Sequence, residues 1–258
     1  MKFAIKNLCC GYGERVVIQD FNAELSNGEI LCLLGSNGVG KTTIFKTILG
    51  FLQPLGGVIL ADSQSVLELS DNKRARLISY VPQAHIPPFA FSVFDVVMMS
   101  ANARLKMFER PSAQDEENAM QALEKLKMGS FRDKIYTDLS GGERQMVLIA
   151  RALAQNSSII LLDEPTANLD FGNQIKVLKQ VNELADSGYI VIMTSHQPEQ
   201  VFYTNAKVAM LGRDKHYIYG KASEVVTSEN LQVIYNADIR VIQNHIDGKQ
   251  VQCCVAMM

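Results

Sequence analysis

The chain has 258 residues, 47% of them hydrophobic, with 25 basic side chains against 27 acidic ones. That is enough apolar material for one large cored domain, or for one domain with a lobe inserted into it. The formal net charge of -2 excludes the basic excess of a dedicated nucleic-acid binder. The apolar runs are strand-sized, far below the roughly 18 residues of a membrane span.

In chain order, Phe3, Ile5 and Leu8 are spaced for a short strand. The opening six residues hold no long apolar run and no small-residue cleavage site, so they do not read as a signal peptide. Residues 16–25 continue the strand pattern after the Gly11-Tyr12-Gly13 turn, and Asn27-Gly28 reads as a hairpin turn. Residues 30–34 form a short continuous apolar run, as expected of a strand buried on both faces. A glycine-rich loop follows, then a predicted helix over 41–49 that stops at Gly50.

Residues 87–139 are mostly helical in pattern and read as an inserted lobe. Ser112 stands as N-cap with Asp115 three residues on, and Ala119, Leu123 and Leu126 recur at helical spacing. Strands are then predicted over 159–162, 189–194 and 208–211, and a helix over 174–185 with Ile175, Leu178, Val181 and Leu184 on one stripe. This alternation predicts an α/β fold with a mainly parallel sheet. A hairpin around Asp247-Gly248 closes the chain, so the expected division is 1–237 plus a tail over 238–258 packed on the same domain. The five cysteines show no metal-ligand or redox spacing and read as reduced thiols. Adjacent Cys253 and Cys254 read as alternating strand residues in preference to a thiol switch.

Gly35-Ser36-Asn37-Gly38-Val39-Gly40-Lys41-Thr42 fits the phosphate-binding pattern G-x-x-x-x-G-K-[ST]. Its glycines let successive N–H groups point at phosphate oxygens, and the helix that follows adds its positive end. Lys41 supplies a point charge for the β- and γ-phosphates, and the Thr42 hydroxyl suits Mg²⁺. The predicted strand over 159–162 ends in Asp163-Glu164. At the carboxyl end of a parallel strand, Asp163 is placed to hold Mg²⁺ and Glu164 to deprotonate a water.

Leu139-Ser140-Gly141-Gly142-Glu143-Arg144-Gln145 resembles the signature sequence of ABC-type ATPases. Other residues fall in that family's order. Tyr12 looks like the aromatic that stacks on adenine, and Gln83, in Tyr80-Val81-Pro82-Gln83, like the Q-loop glutamine. Leu169-Asp170 looks like the D-loop end and His196 like the switch histidine. The resemblance reaches to about Leu211. It implies a P-loop cassette with an N-terminal antiparallel β-subdomain and an inserted helical lobe, using ATP and Mg²⁺. It implies catalytic roles for Glu164, His196, Lys41 and Gln83, and metal contacts for Thr42, Gln83 and Asp163. Nucleotide contacts are implied for Tyr12, for 35–42 with Thr43, and for Ser140, Gly141, Gly142, Glu143 and Asp170. A Ser-Gly-Gly helix start is an anion site in its own right. In the family it caps the ATP held by a second copy, in a head-to-tail homodimer with C₂ symmetry.

A finer resemblance points to importers of iron-siderophore, haem, cobalamin and related metal chelates. It lies in residues 143–153, in Leu169-Asp170-Phe171-Gly172-Asn173-Gln174 and in Phe91-Ser92-Val93-Phe94-Asp95-Val96-Val97. The chain departs from that branch at Met99-Ser100-Ala101-Asn102, and its D-loop reads Ala167-Asn168-Leu169-Asp170. Molybdate-type importers share the overall pattern. The implied partners are a second ATPase subunit, a polytopic membrane permease and, indirectly, a periplasmic or surface substrate-binding protein, with no nucleic acid. The implied location is peripheral, at the cytoplasmic face of the cell membrane. Pro87, Pro88, Phe89, Phe91 and Phe94 are a candidate permease-facing surface, with core packing the alternative for the last two. The competing readings are a soluble ABC ATPase of cofactor assembly and a module that dimerises on ATP without hydrolysing it.

Overall fold

The computed structural model describes residues 1–83, 90–103, 105 and 109–257. They form two compact units, one of residues 1–68 with 182–258 and one of residues 69–181.

The first unit opens with β1 (Lys2–Tyr12), β2 (Arg15–Ser26), β3 (Ile30–Leu34), α1 (Lys41–Ile48), β4 (Gly56–Ala61) and β5 (Gln64–Ser65). β1, β2, β4 and β5 make an antiparallel sheet in the order β2-β1-β4-β5. Phe3, Ile5 and Leu8 of β1 and Ile18, Phe21 and Leu25 of β2 bury one side chain after another in its core. β3 belongs to a different sheet, so Asn27-Gly28 is not the hairpin turn its composition suggests. Gly28 takes φ 83 and donates its N–H to the Tyr189 carbonyl at 3.2 Å, carrying the chain from one sheet to the next. Turn chemistry reports the local bend, whereas partner choice depends on which faces are buried.

The second unit holds α2 (Asp71–Leu77), β6 (Ile78–Val81), α3 (Val93–Met98), α4 (Ala113–Lys125), α5 (Gly141–Ala154), β7 (Ile159–Leu162) and the greater part of α6 (Phe171–Asp186). β6 and β7 pair in parallel. The Ser112–Asp115 capping box is present at the start of α4, and Ser92–Asp95 makes a second one on α3. Leu178, Val181 and Leu184 of α6 are buried, whereas Ile175, the first residue of the expected stripe, is only half-buried. Of the aromatic surface expected near here, Pro87, Pro88 and Phe89 lie outside the described residues. Phe91 and Phe94 are half-buried, and the Arg132 guanidinium sits 4.6 Å from the Phe94 ring centroid.

The chain returns to the first unit with β8 (Ile190–Ser195), α7 (Gln200–Tyr203), β9 (Lys207–Leu211), β10 (Tyr217–Lys221), α8 (Ala222–Val225), α9 (Ser228–Tyr235), β11 (Ile239–Ile246) and β12 (Lys249–Ala256). There β3 lies between β8 and β9, parallel to both, and β10 runs antiparallel on β9. Every residue of β3 is buried, the signature of a strand covered on both faces. β11 and β12 form the closing hairpin around Asp247-Gly248. All five cysteines are free, and burial pushes Cys10 up to about 11 and Cys32 up to about 12. Such thiols stay protonated and inert. Cys253 is exposed and Cys254 half-buried, alternating across β12.

Candidate functional site

In the first unit, the loop between β3 and α1 is shaped by glycines that no other residue replaces without strain. Gly35 has φ 156, and a Cβ there would lie 2.7 Å from the Leu211 carbonyl oxygen. Gly40 has φ 112, and its Cβ would meet Val17 Cγ1 at 2.8 Å. The Gly35 N–H donates to the Ser195 carbonyl at 3.2 Å, which fixes the loop's root at the end of β8. Lys41 is buried, and its Nζ donates to the carbonyls of Gly35 at 2.7 Å and Ser36 at 3.2 Å. The ammonium is therefore held against the loop that would carry phosphates.

Two observations fit this cradle to a polyphosphate. The Ser36 Oγ is buried with no hydrogen-bond partner among the described residues. The N-cap of α1 is Gly40, which gives no side-chain cap, and the positive end of a helix favours an anion. Asn37, Gly38 and Thr42 are exposed along the loop, and Val39 and Thr43 are buried beneath it.

Tyr12 ends β1 with about half its surface exposed (49%), and the Lys46 Nζ lies 5.9 Å from its ring centroid. An exposed ring of this kind can stack on a base. His196 directly follows β8 and is half-buried. The pairing of β8 with β3 sets Ser195 opposite Leu34, so the histidine and the glycine loop leave the sheet at the same edge.

In the second unit, β6 and β7 pair so that Val81 lies opposite Leu162, and the Asp163 N–H donates to the Val81 carbonyl at 2.9 Å. Gln83 and Asp163 thus leave neighbouring strands at one edge. The Tyr80 hydroxyl donates to Asp163 Oδ2 at 3.1 Å. Burial, then the Asp163 charge, pushes the Tyr80 phenol well above its ordinary range, so it remains a donor. Tyr80 orients the proposed metal ligand, a role that sequence reading missed; its only sequence signal is its place in the strand that precedes Gln83. Glu164 sits at φ 45, a left-handed conformation uncommon for a residue with a side chain. Such strain tends to gather at functional positions.

Ser140 is the N-cap of α5 and forms a full capping box with Glu143. The Ser140 N–H and hydroxyl donate to Glu143 Oε2 at 2.7 and 2.6 Å. The glycines after it allow a close approach: a Cβ on Gly141 would lie 3.2 Å from Leu169 Cδ2, and one on Gly142 2.6 Å from Asn173 Cγ. The signature therefore packs onto the start of α6, where Asp170 Oδ1 accepts the Asn173 N–H at 2.9 Å. Hydrogen bonds from Asn173 hold the Asp170 carboxyl below its usual range. The structure thus brings 140–143 together with 169–173, in addition to the pairing of Asp163 with Tyr80.

Hydrogen bonds from the Ser140 side chain and backbone lower the Glu143 carboxyl. A depressed folded-state value means the box contributes fully above the ordinary carboxylate range and is lost as pH falls through the depressed value. Ser140→Ala should cost about 1 kcal/mol of stability by loss of the cap. Urea unfolding of the two proteins at neutral pH measures it, and the difference should shrink in acid.

The sequence profile of the ABC transporter family matches residues 18–167, a span that includes the glycine loop, the signature and the Asp163-Glu164 pair. The chain belongs to the ABC transporter family. As an ABC ATPase it binds nucleotide and couples ATP hydrolysis to transport. It is 37% identical to the molybdate import ATP-binding protein MolC of Haemophilus influenzae, over 90% of this chain and 87% of that one. It is 35% identical to an iron chelatin transport ATP-binding protein of Helicobacter pylori, over 94% and 96% of the two chains. Among solved structures it is similar to an inward-facing metal-chelate type ABC transporter, with a TM-score of 0.88, 34% identity and coverage of 99% of this chain and 97% of that one. The ABC cassette is thus an α/β fold with parallel strands in its mixed sheet, an antiparallel β-subdomain and helical elements. Among the described residues, no helix is long and apolar enough to cross a membrane.

Proposed function

We propose that this ABC ATPase powers the import of a metal chelate, such as an iron-siderophore, haem or cobalamin, through a separate membrane permease. The observation that carries the reading is its likeness, over nearly the whole chain, to a metal-chelate type transporter. It works as a head-to-tail pair with a second copy, peripheral to the membrane at its cytoplasmic face, and a substrate-binding protein delivers the cargo to the permease.

In this reading the amides of 35–43 and the Lys41 ammonium bind the ATP phosphates, and the Ser36 hydroxyl adds a donor. Tyr12 stacks on adenine. Thr42, Gln83 and Asp163 would hold Mg²⁺, which suits their oxygen donors and supplies charge compensation for the transferred phosphoryl group. Tyr80 keeps the Asp163 carboxylate aimed. Glu164 orients and deprotonates the attacking water, and His196 donates to the terminal phosphate. The helix start at Ser140, Gly141 and Gly142 of a second copy closes over the same nucleotide, with Glu143 and Asp170 beside it. ATP then holds the pair together, and hydrolysis releases it.

A second reading, molybdate import, is favoured by the likeness to MolC. Uptake of labelled ferric siderophore and of labelled molybdate by a strain lacking this chain separates the two. We expect ferric chelate uptake to fall to background and molybdate uptake to stay unchanged. The reverse pattern would replace the first reading by the second. Co-purification with a polytopic membrane protein tests the importer assignment itself, and its absence would favour a soluble ATPase of cofactor assembly.

A further inference from the structure

The residues after β9 lie beyond the family motifs, yet they touch the loop that carries His196. The Tyr235 hydroxyl, at the last residue of α9, donates to the His196 carbonyl at 3.1 Å. The Cys254 N–H of β12 donates to Glu199 Oε1 at 3.2 Å, three residues past the histidine. The tail that provides these bonds is itself tied down. Thr227 caps α9 through the Asn230 N–H at 3.2 Å, Asn230 Nδ2 donates to the Val225 carbonyl at 2.8 Å, and the Val241 N–H reaches Ser228 Oγ at 2.9 Å.

The loop has an internal frame as well. Ser195 Oγ donates to Gln200 Oε1 at 2.9 Å and accepts the Gln197 N–H at 3.0 Å, while Gln200 Nε2 donates to Gln197 Oε1 at 2.7 Å. That frame fixes the residues on either side of His196. The direction of the His196 carbonyl sets the backbone angle ψ of His196 and therefore where its side chain leaves the chain. Burial, then the neighbouring Cys32 and Cys254, holds the Tyr235 phenol far above its usual range, so the hydroxyl remains a donor at every working pH.

We propose that Tyr235 is a positioning residue for catalysis: its bond to the His196 carbonyl holds the imidazole in the direction from which it meets the terminal phosphate. The proposal depends on the role given to His196 under the proposed function. A misplacement of about 1 Å in a catalytic group can cost as much as about 100-fold in rate, so one hydrogen bond far from the phosphates can matter. The C-terminal tail is then a structural support of the motor's switch.

Tyr235→Phe keeps the ring and removes the donor. In the purified full-length chain we expect kcat for ATP to fall about fivefold to tenfold, with KM within about twofold of the parent. The ¹⁵N–¹H signals of the His196 imidazole should shift in the same variant. In a His196→Ala background, Tyr235→Phe should cause no further loss. An unchanged imidazole signal, or an equal loss in the His196→Ala background, overturns the proposal. Full turnover in His196→Ala would sink the histidine's assigned role instead of the contact. The imidazole signals then decide the contact by themselves: a shift upholds it and no shift overturns it.

Discussion

Glu164→Gln should abolish steady-state ATP hydrolysis while leaving ATP binding intact. A well-placed general base contributes about 10²–10⁴ in rate, which is about 3–5 kcal/mol of barrier. Glutamine keeps the size of the side chain and its hydrogen-bonding reach but cannot take a proton from water. In the proposed head-to-tail pair ATP joins the two copies, so a chain that binds without turning over should accumulate as an ATP-bound dimer. Phosphate release and size-exclusion chromatography in ATP and Mg²⁺ measure the two effects on one sample. Undiminished hydrolysis would remove Glu164 from the base role, and retained monomer with lost hydrolysis would detach the dimer from the cycle. The same experiment rules on the non-hydrolysing alternative, since parental chain that releases no phosphate would favour it.

The second large effect concerns Lys41→Ala. Its ammonium is buried and bonded to two carbonyls of the loop it serves. A charge-assisted hydrogen bond contributes about 1.5–3 kcal/mol, so losing it should weaken ATP affinity by roughly tenfold to 100-fold. The loop carbonyls of Gly35 and Ser36 also lose a buried donor, which should lower thermal stability. Titration with a fluorescent ATP analogue reads the first effect and thermal unfolding the second. Unchanged affinity would show that the backbone amides of 35–43 hold the phosphates without the lysine. The two substitutions are expected to separate cleanly, one affecting binding and the other turnover.

The motifs of this chain were legible in the sequence because their chemistry is local. A phosphate cradle needs glycines at fixed offsets from Lys41, and a strand buried on both faces leaves an unbroken apolar run such as 30–34. The Ser112–Asp115 box spans only four residues and is legible in them. What escaped depends on distant partners. Asn27-Gly28 has hairpin composition, but Gly28 bonds to Tyr189 and leads into another sheet. Tyr80 is an ordinary strand residue until Asp163, far along the chain, is folded against it. The motif marks Asp170 as an expected nucleotide contact; its cap on the start of α6 through Asn173 appears only in the structure. Tyr235 carries no motif at all, and only the folded tail shows what its hydroxyl meets. The box at Ser140 is also local, written plainly in Ser-Gly-Gly-Glu.

The left-handed backbone at Glu164 narrows what evolution can leave there. Asparagine, aspartate and glycine tolerate that conformation best, whereas valine, isoleucine and threonine crowd the neighbouring carbonyl. A lineage that abandoned hydrolysis while keeping the cassette as a docking part would drift toward the first group and avoid the second. Degenerate descendants of this chain should therefore be recognisable by a small polar residue or glycine at that position, a mark left by the shape of the main chain after the need for a base has gone.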